Sequence, residues 1–210
     1  MDRRTTIKWM VSAGAVWSLA ENRAAQAGVA QADLALKGHG YGTDPKLVQA
    51  YRVGQYWPLT LTAAQRRLAG ILSDIIVPAD EHSPSASAVG VVDFIDEWVS
   101  APYPDQQRDR PIVLDGFAWL DIEAQRRAGK GFSELDALRQ HAICDDICSE
   151  SRAVPSVRAA ATFFALYRDL TAGGFYSSPA GRKDLNYIGN VPLTRFDGPP
   201  PELLKALGLA

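Results

Sequence analysis

From Thr62 onward the apolar positions fall at helical spacing. Thr62 stands three residues before Gln65, a capping-box pattern, and Leu68, Ile71, Leu72, Ile75 and Ile76 then line one stripe until Pro78 stops it. A second helix is expected from about Val89 to Ser100, with Val91, Ile95 and Trp98 inward, before Ala101-Pro102-Tyr103-Pro104 forces an extended turn. A third fits Arg110 to Arg127, with Pro111 in its first turn and Val113, Phe117 and Leu120 on its apolar face, and Gly129 and Gly131 end it. Ser133 reads as the cap of a fourth, followed by Asp136, with Leu135, Leu138, Ile143 and Ile147 on the buried side. A fifth runs from near Pro155 to Leu170 through Ala159, Phe163, Leu166 and Tyr167, with Gly173-Gly174 as its break. No stretch alternates apolar and polar residues over strand length. The expected class is therefore all-α: a single compact helical domain of about five helices over residues 58–210. Its tail is Gly/Pro-rich from Gly173 to Pro201, with a last short helix at Glu202 to Leu207.

The chain before this domain has a different character. Residues 28–57 are rich in Gly and polar residues and hold no period, which predicts an extended arm. Within it, Gly38-His39-Gly40-Tyr41-Gly42 follows no strand, so a flexible linker fits better than a phosphate cradle. Residues 1–27 read as a targeting segment: Arg3 and Arg4, an uncharged run from Trp9 to Ala20, then Ala25-Gln26-Ala27 as a small-residue cleavage site. That run is well short of the ~20 apolar residues of a membrane span. The Arg3-Arg4 pair resembles a twin-arginine export signal, which places the protein in the periplasm.

Composition narrows the function. With 210 residues, 47% of them hydrophobic, the chain can fill one core, and a net charge of −2 with dispersed basic residues argues against a nucleic-acid partner. There is no dinucleotide fingerprint, haem-attachment motif, zincin motif or P-loop. His39, His82 and His141 share no ligand spacing. Asp74, Asp80 and Glu81, and the adjacent Asp145-Asp146, read as solvated faces. No catalytic, cofactor-binding or metal-ligating residue is expected in this chain. A route that exports folded proteins, on a chain with nothing to load, points to a partner subunit.

Two features remain. Cys144 and Cys148 lie four apart on a predicted helix, where Cβ atoms are ~5 to 6 Å apart against the ~3.5 to 4.5 Å of a relaxed disulfide. Three states stay open: a bridge at a helix end, a bond from one cysteine to another chain, or two buried thiols. Phe175, Tyr176, Tyr187, Ile188 and Phe196 occur among Gly, Pro and Asn, where no helical stripe is expected to bury them, and so form a candidate partner interface.

The run Leu72-Ser73-Asp74-Ile75-Ile76-Val77-Pro78-Ala79-Asp80-Glu81-His82-Ser83-Pro84-Ser85-Ala86, followed by Val91-Val92-Asp93-Phe94-Ile95-Asp96, resembles the opening of the gluconate 2-dehydrogenase small (third) subunit family. Leu170 to Ser178, Leu185 to Asn190 and Phe196-Asp197-Gly198 are similar to that family's C-terminal block. The resemblance implies a non-catalytic subunit, itself without cofactor. Its partner would be a large FAD-dependent flavoprotein of the glucose-methanol-choline type acting on a sugar, polyol or glycoside, often with a multihaem cytochrome c carrying haem c as a third subunit. It also implies that the large subunit is carried across the membrane with the small one. The rival expectations are a free-standing enzyme using Asp80, Glu81 and His82, and a small-ligand-binding module.

Overall fold

The computed structural model describes residues 40–187, 189, 195 and 198–209. Among these there are seven α-helices and no strand: α1 Ala63–Ile76, α2 Val91–Ser100, α3 Pro104–Ala128, α4 Ala137–Ile147, α5 Arg158–Ser177, α6 Pro179–Asp184 and α7 Pro201–Ala206. The all-α expectation holds. Arg3, Arg4, Ile188 and Phe196 lie outside the described residues.

The long helices α3 and α5 form the central pair, with α1, α2 and α4 packed around them. Their contact is aromatic: Phe117 meets Phe163 and Tyr167 with ring centroids 5.9 and 5.5 Å apart, in edge-on geometry. Gly116 permits this approach, since a Cβ there would lie 2.0 Å from Cγ of Phe163. Tyr167 is fully buried, and its hydroxyl is satisfied by donating to the Ala69 carbonyl at 2.8 Å, with Ser73 Oγ at 3.0 Å. These bonds tie α1 to α5.

Local signals place most helix ends. The Thr62 hydroxyl accepts from Gln65 N, and the Gln65 side-chain oxygen accepts from Thr62 N in return, so α1 begins at its capping box. Three boundaries differ from expectation. α3 starts at Pro104, six residues early, because Tyr103 is extended and Pro104 fits the first helical position, where no N–H is needed; Pro111 then sits inside the helix. Asp136, not Ser133, caps α4 by accepting from Arg139 N, and Phe132–Glu134 is a 3₁₀ turn instead; Leu138 consequently points outward, 82% exposed. Finally, α5 passes straight through Gly173-Gly174. Gly174 faces Phe94, whose Cδ1 would lie 2.8 Å from a Cβ, so the glycine is there for close packing. The stop comes at Ser178-Pro179, where Ser178 is extended and caps α6.

Candidate functional site

Two adjacent acids of α2 fasten the arm and the residues 58–61 that join it to α1. Asp96, fully buried, accepts from the backbone N–H of Thr60 at 3.1 Å and of Leu61 at 3.0 Å. Its other oxygen takes Arg66 at 2.7 Å, and Arg66 also pairs with Asp93. Glu97 accepts from Gly54 N at 2.8 Å through Oε2, while its carbonyl takes the Trp57 indole N–H at 3.2 Å. Trp98, next in sequence, gives its indole N–H to Asp109 of α3. Three consecutive residues therefore hold the arm on one side and α3 on the other.

An aromatic seam covers this junction. Tyr41 packs on Trp98 and Tyr103 at 5.3 and 5.7 Å, Trp57 on Tyr103 at 5.9 Å, and Tyr51 on Tyr56 at 5.2 Å. The Tyr103 hydroxyl donates to Asp44 Oδ2 at 2.7 Å. Burial first, and that hydrogen bond second, push the Tyr103 phenol up to about 12; burial and the Tyr51 hydroxyl raise Tyr41 as well. Both phenols stay protonated across the physiological range and keep their place as neutral packing groups.

The loop from Val77 to Gly90, which links α1 and α2, is also closed by carboxylates. Asp74 accepts from Ser87 N at 2.8 Å and from Ser87 Oγ at 2.7 Å. Asp80 accepts from His82 N and Ser83 N at 2.8 and 2.9 Å, an Asx-type turn. Ser83 Oγ donates to Asp184 Oδ1 at 2.8 Å, joining the loop to the end of α6. Gly90 takes a left-handed φ of 86° and releases the chain into α2. Of the residues offered by the rival enzyme reading, Asp80 holds the turn, and Glu81 and His82 are exposed on its rim.

A family model described as gluconate 2-dehydrogenase subunit 3 matches residues 63–198. The chain belongs to the gluconate 2-dehydrogenase subunit 3 family. No curated protein and no solved structure matches it. The family region takes in α1 to α6 and the closed loop, whereas the arm precedes it.

The subunit 3 chain distributes the predicted site residues unevenly. Phe175 is fully buried in its own core, and Tyr176 is half-buried with its ring 5.1 Å from Phe175. Both were expected on an exposed tail; the continuation of α5 to Ser177 puts them on a helix with a core face, so Phe175 offers no surface to a partner. Tyr187 is 57% exposed. Cys144 is buried within α4, while Cys148 caps the end of that helix, half-buried, with its thiol donating to the Asp145 carbonyl at 3.2 Å. The two are unbridged, and burial raises both thiols above their ordinary range, leaving little thiolate at neutral pH. Only Cys148 is within reach of a second chain.

Cys148 borders a cleft of about 550 Å³ between the ends of α3 and α4. Its charges pair across the wall: Glu123 takes Arg126 at 2.7 Å and Arg127 at 2.6 Å, and Arg127 also meets Asp146 at 2.7 Å. The hydrogen bond from Arg126, reinforced by Arg127 and opposed by desolvation, pulls Glu123 down to about 2. Sequence reasoning gave Asp96 and Glu97 no role, since the backbone donors they meet lie far away along the chain. The available signal was the pair of adjacent acids between the inward Ile95 and Trp98 of α2.

Proposed function

We propose that this chain is the non-catalytic small subunit that exports, stabilises and assembles a periplasmic FAD-dependent sugar, polyol or glycoside dehydrogenase. The family match over residues 63–198 carries the reading, because it makes the chain one component of a dehydrogenase complex. Two further observations support it. Arg3-Arg4 and the small-residue site ending at Ala27 have the order of a twin-arginine signal. Two acids inside the family-like run Leu72 to Ala86, Asp74 and Asp80, are engaged in fixing backbone. On this reading FAD sits in the large catalytic partner and haem c in a cytochrome subunit, so redox chemistry is the partners' and this chain supplies binding surface and an address. No described helix is long and apolar enough to cross a membrane.

Replacing Arg3 and Arg4 with Lys tests the carrier role. Both this subunit and its flavoprotein are expected to stay in the cytoplasm on cell fractionation. A large subunit that still reaches the periplasm in normal amount overturns the export function.

A further inference from the structure

Among residues 40–59 only Trp57 is buried, so this stretch lies on the helices without entering their core. It is nevertheless knitted together. Tyr41–Thr43 and Pro45–Leu47 are short 3₁₀ turns, and the Tyr41 and Tyr51 hydroxyls meet at 3.1 Å. Tyr56 packs its ring on Tyr51 and donates its hydroxyl to the Lys46 carbonyl at 3.1 Å. Both ends of the stretch are thereby tied to its middle. A segment that coheres internally and buries little against its support opens as one unit, at a lower cost than the core beneath it.

Its attachments to α2 differ in quality. At the junction with α1, Asp96 accepts from the Thr60 and Leu61 N–H groups and from Arg66, Ser100 Oγ adds a second acceptor for the Thr60 N–H at 2.8 Å, and Leu61 sinks into the core. At Gly54 only half of a carboxylate is used. Glu97 Oε2 accepts from the Gly54 N–H, while Oε1 is buried and has no hydrogen-bond donor. A buried acceptor without a donor penalises the closed state, and lifting the stretch returns it to water. Between the two attachments lie Pro58 and Leu59, both exposed. We propose that residues 40–57 are a hinged strap, which opens as one body about Pro58-Leu59 with Glu97 as its catch and leaves the Asp96 junction shut. Opening parts Tyr41 from Trp98 and Trp57 from Tyr103, and so bares two rings and the Glu97 carboxylate where α2 meets α3. The closed chain has no such surface.

Native-state hydrogen exchange, followed by NMR on the full chain, tests the strap. The Gly54 amide and the Trp57 indole N–H are expected to share one protection factor, roughly tenfold or more below that of the Leu61 amide. The variant Tyr103→Phe keeps the ring and removes the hydroxyl that bonds Asp44, ten residues before Gly54. In a single body that loss is felt at the far end. Protection at Gly54 and Trp57 is therefore expected to fall together, about three- to tenfold, with Leu61 changed less than twofold. A Trp57 indole protected as strongly as Leu61 overturns the proposal, because the arm and its junction are then one unit. So does a Gly54 amide that exchanges freely beside a protected Trp57 indole, which is local fraying. In Tyr103→Phe, an unchanged Gly54, or a Leu61 that falls in the same proportion, overturns it equally. If that variant fails to fold, the wild-type rates alone decide. The strap belongs to this chain by itself, so its failure leaves the subunit reading untouched.

Discussion

Gly116 shows how much of this fold hangs on single atoms. It lies on α3 where the Phe163 ring of α5 crosses, and the missing side chain is what lets the two longest helices meet. A methyl at 2.0 Å from the ring carbon has no room, and the ring cannot retreat, being wedged between Phe117 and Tyr167. Gly116→Ala gains helix propensity of roughly 1 kcal/mol. It is nevertheless expected to destabilise by about 2 to 3 kcal/mol net, because overpacking a close-packed core shifts backbone. Urea denaturation measures this, and a variant as stable as wild type would show that the helices separate freely. Glycine at 174 has a comparable task against Phe94, eighty residues away in sequence, which is why Gly173-Gly174 reads as a break from the sequence alone and is not one. Phe175 is hidden for the same reason: once the helix continues, its ring belongs to the core.

At the level of elements, what could be read from the sequence was what local chemistry decides. The capping box at Thr62, the stop at Pro78 and the short helix beginning at Pro201 depend on residues within one turn. Pro104 was equally local and was available, with Tyr103 extended before it; the charged run after it drew the start of α3 too far along. The arm was legible only as the absence of a period. Its attachment was not, because Asp96 and Glu97 answer to backbone donors some forty residues upstream. Asp96→Ala tests that attachment. It leaves the Leu61 N–H without its acceptor, leaves the Thr60 N–H with Ser100 Oγ alone, and frees one side of Arg66, so a loss of about 2 to 3 kcal/mol is expected. Limited proteolysis should then cut within residues 40–61 while the helical circular dichroism persists. An arm that stays protected would mean that the Glu97 bonds and the aromatic seam suffice to hold it.

At the scale of the whole molecule, the turn after α6 is one of several places among the described residues where large apolar side chains are exposed, and it carries what remains of the aromatic tail. Tyr187 is fixed from behind: its N–H donates to the Arg182 carbonyl at 2.9 Å, and Asn186 before it turns left-handed at φ 52°. Ser178 and Gly181 lock the α5–α6 corner, where a Cβ on Gly181 would lie 2.1 Å from the Phe175 oxygen, and Asp184 is tied to Ser83 of the signature loop. The ring is thus exposed from a backbone that is held, beside Leu185, which is also exposed. Such a ring loses little entropy on docking, and an aromatic at an interface typically carries about 1 to 2 kcal/mol or more. Tyr187→Ala is therefore expected to weaken the flavoprotein complex roughly 5- to 30-fold, with the helical content and thermal midpoint of this subunit unchanged. Binding measured against wild type decides it: a Tyr187→Ala variant that assembles at wild-type strength removes the tail from the interface.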